Sequence, residues 1–214
     1  MKSFLIIGMG SFGHHLCRAL AQQRCEVMIV DRSSEALEDM LPHVVSAKVG
    51  DCTNEEVLRS FSVESFDACF VCLGSNVLSS LQITSLLKEL GAKKVFSKAD
   101  DDMQAKFLLR NGADEIIYPE LEVATSLAVS ESSDSIFDCI RLTADYSIYE
   151  LQPLKRWLGK SLRELNFRVK YNLTVIAVKK GAVIRPNLHP DYVFKEDEHL
   201  LVLGRGEDIQ KIIR

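Results

Sequence analysis

The chain has 214 residues, a length that suits one large domain or two small domains of ~100 to 150 residues each. Apolar residues make up 47% and charged residues 26% of the sequence, which is typical of soluble globular chains and excludes a disordered or low-complexity chain. The net charge of -4 argues against nucleic-acid binding and against a polybasic membrane anchor, because both need clusters of lysine and arginine.

No stretch approaches the ~20 consecutive apolar residues of a membrane-spanning helix, and the opening run Met1 to Ile7 meets glycines too early for a signal peptide. We therefore expect a cytoplasmic chain. In that compartment cysteines at uneven spacings are expected to be buried thiols, and this applies to Cys17, Cys25, Cys52, Cys69, Cys72 and Cys139.

Cys69 and Cys72 form a Cys-x-x-Cys pair inside the apolar run 68–73. Residues three apart on a strand face opposite sides, so we expect neither a redox pair nor a shared metal site there.

The first 118 residues alternate short apolar runs with amphipathic stretches, a pattern that predicts repeated βα units. The predicted strands are 4–7, 27–30, 44–49, 68–73, 94–97 and 115–117. The predicted helices are 12–23, 34–41, 54–61, 76–90 and 101–111. Gly91 and Gly112 follow two of these helices, where a left-handed residue is needed. Six strands predict a Rossmann-like, doubly wound parallel sheet of the α/β class.

The second part of the chain has a different pattern. Residues 120 to about 130 predict one longer helix, and 131–135 read as a solvated connection. The predicted strands after it are 139–143, 147–152, 173–179, 182–184 and 199–203, with a short helix at 161–165. We expect a nucleotide-binding domain at 1–118, a linking helix and connection at 119–135, and a small α+β domain at 136–214. A domain this small favours docking or dimerisation.

A glycine motif, Gly8-Met9-Gly10-Ser11-Phe12-Gly13, lies between the first strand and the first helix, the context that a phosphate-binding turn requires. Gly8 permits the tight turn, Gly10 lets the backbone approach a pyrophosphate, and Gly13 allows the helix to pack close to the strand. Free amides at the start of the helix attract the anion.

Asp31 ends the second strand, eighteen residues beyond Gly13, where a carboxylate can accept hydrogen bonds from both ribose hydroxyls. It would repel a 2'-phosphate, so NAD, ATP or ADP should be preferred over NADP, although Arg32 weakens that preference. The alternative is that the glycines only make a turn. His14 and His15 are interpreted as surface and packing residues of the first helix, and no metal ligand set is expected.

Several further segments follow the ends of predicted strands or helices in a characteristic order. In the first domain they are Gly50-Asp51-Cys52-Thr53, Gly74-Ser75-Asn76, 86–91, Ser97-Lys98-Ala99 and 112–120. In the second domain they are 145–151, 165–171, 175–179 and 201–204. In order and spacing, essentially the whole chain resembles the RCK (regulator of potassium conductance) domains of the TrkA and KtrA family, the cytoplasmic gating subunits of bacterial potassium uptake systems.

The resemblance implies a bound adenine nucleotide. It implies that the adenosine meets Asp31, Arg32, Asp51 and Cys52, and that the phosphates meet Gly8 to Gly13. The far side of the nucleotide would meet Leu73, Gly74, Ser75, Asn76 and Lys98. Glu120 would reach the nucleotide at a dimer interface, unless it only complements the dipole of its helix.

Partners are also implied by the resemblance: a membrane potassium translocator, a homodimer that assembles into a larger ring, and a second-messenger nucleotide at the C-terminal domain. Two departures bear on this. Many members carry arginine at the position of Ser11, where it clamps the phosphates. Residues 187–191 and 197–198 differ from the family pattern in the C-terminal domain. Arg168, Arg185 and Lys179 are the candidate anion ligands there, unless they only form a solvated charged face.

Two functions follow. The first is a non-catalytic regulatory subunit that couples nucleotide binding to a potassium translocator. The second is an NAD-dependent oxidoreductase, which would need an acid or base beside the cofactor. His189 and His199 lie far along the chain from the glycine motif, and no acid and base pair is apparent.

Overall fold

A computed structural model of the chain describes residues 1–74, 76–133, 135–143 and 145–213. It divides into two units, Met1–Glu120 and Leu121–Arg214. Ser75, one of the predicted site residues, lies outside the described residues, as does Asp134 in the predicted connection. The domain boundaries at 118 and 136 stay a prediction.

The first unit contains a six-stranded parallel sheet. Its strands are β1 (Ser3–Ile7), β2 (Glu26–Asp31), β3 (Ser46–Val49), β4 (Ala68–Val71), β5 (Val95–Lys98) and β6 (Glu115–Ile117). Their order across the sheet is β3-β2-β1-β4-β5-β6, so the direction of winding reverses between β1 and β4. This is the doubly wound order, and it confirms the predicted α/β fold class.

Helices connect these strands: α1 (Ser11–Gln22), α2 (Glu35–Glu38), α3 (Glu55–Arg59), α4 (Val77–Glu89) and α5 (Asp102–Arg110). A further helix, α6 (Pro119–Glu131), follows β6. Gly91 and Gly112 have φ values of 86° and 105°, as their positions after α4 and α5 predict. The helix predicted at 34–41 is shorter, since it ends at Glu38, and a separate 3-10 helix with Pro42 in its first turn follows at Leu41–His43.

Both faces of the parallel sheet are covered. One buried cluster includes Leu5, Ile7 and Cys69, and the cluster on the other face includes Ile6 and Cys72. Successive residues of β1 therefore enter different cores, which explains its continuous apolar run. The two cysteines lie on opposite faces, as the strand pattern predicts.

All six cysteines are free thiols, and five are buried. The prediction was wrong for Cys25, which is half-buried. It lies in the exposed turn after α1, next to Arg24 with its φ of 58°.

The second unit is built on an antiparallel sheet of five strands, β7 (Ile136–Arg141), β8 (Tyr146–Leu151), β9 (Thr174–Lys180), β10 (Val183–Pro186) and β11 (His199–Arg205). Their order is β10-β9-β11-β8-β7. The helices are α7 (Leu162–Leu165), α8 (Phe167–Tyr171) and α9 (Gly206–Ile213). This α+β unit confirms the predicted class, although α8 and α9 were not predicted.

One face of the antiparallel sheet carries the core of the second unit, which includes Trp157, Phe167, Phe194, Leu200 and Ile209. The described residues contain no helix with both the length and the hydropathy needed to cross a bilayer.

We expect Leu200→Ala to lower the free energy of unfolding by about 2 to 5 kcal/mol, because Leu200 is fully buried and a cavity would remain. Leu201 is the matched control, since it follows on the same strand, points to the other face and is half-buried. Urea unfolding of both variants gives the comparison. Equal losses would contradict the assignment of the core to one face.

Candidate functional site

The predicted site residues of the first unit lie mainly at the carboxyl ends of its strands, around the point where the winding of the sheet reverses. Because loops from neighbouring parallel strands diverge there, a crevice forms that doubly wound folds use for ligands. The structure shows such a cleft, of about 410 Å3 including space open to solvent. It is lined by Ile7, Gly8, Val30, Asp31, Arg32, Gly50, Cys52, Leu73, Asn76, Ser79 and Ile83.

The glycine turn follows β1. Gly8 has a φ of 94°, a left-handed conformation that disfavours other residues. A Cβ on Gly13 would lie 2.2 Å from the carbonyl oxygen of Gly8, so only glycine permits this close packing of α1 on the turn. A Cβ on Gly10 would meet nothing within 4 Å, which leaves the backbone at Gly10 open to approach.

The start of α1 has no capping side chain, because Gly10 occupies that position. Within the described part of the chain, the amides of Ser11, Phe12 and Gly13 have no hydrogen-bond acceptor. Free amides at a helix start form a site of partial positive charge that suits a phosphate.

Asp31 supports this turn as well as facing the cleft. Its Oδ2 accepts from the backbone N–H of Met9 at 2.7 Å, and its Oδ1 accepts from that of Ser33 at 2.9 Å. The carboxylate therefore ties the loop after β2 to the glycine turn after β1. Each oxygen keeps a further lone pair for another donor.

Arg32 points to the next loop. Its Nη2 donates to Oδ1 of Asp51 at 2.7 Å, and Asp51 also accepts from the hydroxyl of Thr53 at 2.6 Å. The hydrogen bond from Thr53, then that from Arg32, lowers the pKa of Asp51 to about 2. Cys52 is buried beside it, and burial raises the pKa of its thiol to about 12. Its contribution to the cleft is therefore an apolar wall.

A second group of charged side chains follows β5. Nζ of Lys98 lies 2.8 Å from Oε1 of Glu120 and 3.1 Å from Oδ1 of Asp100. Burial lowers the pKa of Lys98, but the hydrogen bonds to Glu120 and Asp100 outweigh it and raise the pKa above its ordinary value. Gly74 lies against this group, because a Cβ there would be 3.0 Å from Asp100.

Six of the predicted site residues lie together in the lining of the cleft, and the other described ones lie outside that lining. Those that line the cleft are Gly8, Asp31, Arg32, Cys52, Leu73 and Asn76. Asn76 caps α4, since its side chain accepts from the amide of Ser79 at 3.0 Å. The other described ones lie outside the cleft lining: Met9, Gly10, Ser11, Phe12 and Gly13 in the turn, Asp51 beside Arg32, and Gly74, Lys98 and Glu120 near β5.

Sequence reasoning missed five residues of the cleft lining, and Asp100 beside Lys98; the five are Ile7, Val30, Gly50, Ser79 and Ile83. Gly50 and Asp100 follow strand ends, and that position was the available signal. Ser79 and Ile83 lie one turn apart on α4, which could have indicated a shared face. The described residues contain no group of three or more His, Cys, Asp or Glu side chains placed to bind a metal ion.

These features define a doubly wound domain with a glycine turn at the start of its first helix, followed by a small antiparallel domain. The TrkA-N domain model matches residues 4–119 and the TrkA-C domain model matches residues 147–214. The chain is 32% identical over 210 residues to the Ktr system potassium uptake protein C of Bacillus subtilis, covering 98% of this chain and 95% of that protein. It is equally similar to the Ktr system potassium uptake protein A of the same organism. The chain belongs to the TrkA and KtrA family.

Solved structures share the fold. The GsuK RCK domain superposes with a TM-score of 0.69 at 16% identity, covering 99% of this chain and 47% of that chain. The GsuK channel bound to NAD gives the same TM-score at 15% identity, covering 97% of this chain and 38% of that one. This chain therefore spans less than half the length of those solved proteins.

We expect Asp51 to stay ionised down to about pH 3, because its lowered pKa places protonation near 2. The part of the stability that depends on this charge is present above the ordinary pKa of 3.8 and is lost as the pH falls through about 2. Carboxyl NMR titration tests this. Thr53→Val should move the titration towards the ordinary value, and an unchanged titration would contradict the assigned cause.

Proposed function

We propose that this protein is the cytoplasmic, nucleotide-binding regulatory subunit of a potassium uptake system, bound at the inner face of the membrane to a potassium translocator. Similarity to two Ktr potassium uptake proteins over nearly the whole of each chain supports the proposal. The observation that carries it is the glycine turn with free amides, tied to Asp31 beside a cleft at the reversal of the sheet.

The ligand we propose is an adenine nucleotide: NAD, ATP or ADP. The free amides of the turn suit its phosphates, and the remaining lone pairs of Asp31 suit the ribose hydroxyls. Arg32 donates to Asp51 instead of standing free beside Asp31, which weakens the case for a 2'-phosphate. Solved relatives of this fold include proteins bound to NAD, ADP and AMP.

The charges at the site bear on which of these nucleotides binds best. Ser11 is a neutral residue at the start of α1, so it supplies no cation for a phosphate. Lys98 could supply one, but it is bound to Asp100 and Glu120. A γ-phosphate would therefore gain little, and we propose that ATP, ADP and NAD bind with similar affinity.

The translocator must respond to a change in the subunit, so binding has to favour one arrangement of a larger assembly. We propose a homodimer that assembles into a ring. The apolar side chains of Leu121, Val123 and Leu127 on α6 are 47%, 68% and 58% exposed, and a partner surface would cover them. A symmetric ring multiplies the coupling of each site, which is typically ~1 to 3 kcal/mol.

A second-messenger nucleotide at the second domain has less support. Of the three candidate anion ligands, Lys179 donates to the buried carboxylate of Glu150 at 2.7 Å. Arg168 and Arg185 remain as exposed cations.

The alternative, an NAD-dependent oxidoreductase, is not favoured by a specific observation. His199 hydrogen-bonds to Glu150, and His189 lies beside Asp191, both within the second unit. We propose that the protein performs no catalysis.

We expect Asp31→Ala to weaken ADP binding by about 2 to 3 kcal/mol, because the ribose hydroxyls and the amide of Met9 lose a charged acceptor. Wild type should also prefer ADP over 2'-deoxy-ADP, and the variant should not. Calorimetry of both ligands measures this. Glu35→Ala is the matched control, since it removes an exposed carboxylate just beyond this loop.

The same variant tests the function. In cells that depend on the translocator for potassium uptake, wild type and Glu35→Ala should support growth at low potassium, and Asp31→Ala should not. Uptake that is independent of the chain would overturn the regulatory function. A change below tenfold in the dissociation constant of ADP would remove the ribose role from Asp31.

We expect Ser11→Arg to favour ATP over ADP by about tenfold, because a guanidinium would add charge-assisted hydrogen bonds to the γ-phosphate. Wild type should bind the two within about one order of magnitude. Competition titrations measure both proteins, with Ser11→Gln as the neutral control of similar length. A hundredfold preference for ATP in wild type would show that another cation, such as Lys98 released from its carboxylates, takes this role.

A further inference from the structure

His14 lies in the first turn of α1 and joins two parts of the first unit. Its Nδ1 is 3.0 Å from the carbonyl oxygen of Gly10, in the glycine turn. Its Nε2 is 3.0 Å from Oδ1 of Asp39, which follows α2. The other oxygen of Asp39 accepts from Nη2 of Arg18 at 3.0 Å. The imidazole therefore bridges the phosphate-binding turn and an anchored carboxylate.

The two hydrogen-bond partners of the His14 ring bear on how many protons the ring carries when both bonds are present. A neutral imidazole has one N–H donor and one acceptor nitrogen, whereas its protonated form has two donors. Both partners of His14, a carbonyl oxygen and a carboxylate oxygen, can only accept. Both hydrogen bonds form together when the ring is protonated, and one is lost when it becomes neutral.

The direction of the Gly10 carbonyl bears on phosphate binding, because this carbonyl belongs to the same peptide group as the amide of Ser11. The carbonyl accepts from the backbone N–H of His14 at 3.0 Å as well as facing the ring. In a planar trans peptide the C=O and N–H groups point in opposite directions. Holding the carbonyl of Gly10 along α1 therefore directs the amide of Ser11 outwards, towards the place where an anion would bind.

Other charged and titratable groups surround this bridge. Asp39 lies on the segment after α2, and Arg18 lies one turn further along α1. The 3-10 helix beside α1 ends at His43, which is exposed, and β2 ends at Asp31, which binds the amide of Met9. His14 and Asp31 thus hold consecutive parts of the turn by different polar groups.

We propose that His14 is a positioning residue for the phosphates of the bound nucleotide: in its protonated form it fixes the peptide between Gly10 and Ser11 and adds positive charge beside the turn. Nucleotide affinity then falls when the ring loses its proton, because one of its two hydrogen bonds is lost. This inference rests on the proposed nucleotide site.

The chain offers matched variants for a test. His15 is the neighbouring residue, is exposed and has no hydrogen bond among the described side chains, so His15→Leu is the control for His14→Leu. His14→Asn keeps a donor for the carbonyl of Gly10 without a titrating ring. Asn111 shows this geometry in the same unit, with Nδ2 2.8 Å from the carbonyl oxygen of Phe107 four residues earlier.

Calorimetry with NAD and with ADP, from pH 5.5 to 8.5, compares wild type and the three variants; any titration of the ligand itself is common to all of them. At pH 5.5 we expect His14→Leu to bind about fivefold more weakly than wild type, and His15→Leu to bind as wild type. Wild-type affinity should be lower at pH 8.5 than at pH 5.5. The affinity of His14→Asn should lie between those of wild type and His14→Leu at pH 5.5 and should not fall as the pH rises.

Two results would overturn the inference alone: wild-type affinity in His14→Leu and His14→Asn, or a pH profile that persists in both. If His14→Leu does not fold, the pH profile of His14→Asn against wild type decides. Wild type that binds neither nucleotide would overturn the proposed function, and the role of His14 with it.

Discussion

The reversal of winding between β1 and β4 is the constraint on which the site depends. The crossovers on either side of this point run to opposite edges of the sheet, so the loops after β1 and β4 separate and leave a cleft between them. The close approach of α1 to its turn, where Gly13 meets the carbonyl of Gly8, then aims the amides of the helix start at that cleft. The short segment that packs α1 against the glycine turn is therefore also the segment whose amides are available to an anion.

The charged side chains at the carboxyl edge of the parallel sheet form hydrogen bonds and ion pairs within the protein. Asp31 accepts from two backbone amides, Asp51 accepts from Arg32 and Thr53, and Lys98 is shared between Asp100 and Glu120. Each of these polar groups is thus paired before any ligand arrives, which keeps the loops ordered. A nucleotide either uses the remaining lone pairs and the amides of the turn, or it displaces an existing partner.

Much of the first unit could be predicted from the sequence, because glycines and acids mark the ends of its strands. The sequence predicted β6 at its observed bounds and β1 to within one residue. It also placed Gly8, Asp31 and Asn76 at one edge, since carboxyl ends of parallel strands meet there. The bounds of these strands can be predicted from local sequence, because side-chain alternation along a strand depends on neighbouring residues.

The remainder depends on contacts between distant residues. The partner of Met9 is 22 residues away at Asp31, and the partner of Lys98 is Glu120 on α6, so no spacing rule identifies either pair. The last helix of the described residues, α9, was not predicted. The acids Glu207 and Asp208 in its first turn are the signal of a helix start that was available.

Pairing within the site also bears on how binding could be transmitted. Lys98 lies at the end of β5, and Glu120 lies in the first turn of α6, the helix that leaves the parallel sheet. An anion that attracts Lys98 would compete with Glu120 for the same ammonium group, because like a carboxylate it accepts its hydrogen bonds. Binding and release would then differ in whether Lys98 is paired with Glu120. A ligand shifts such an equilibrium only by its differential affinity for the two arrangements.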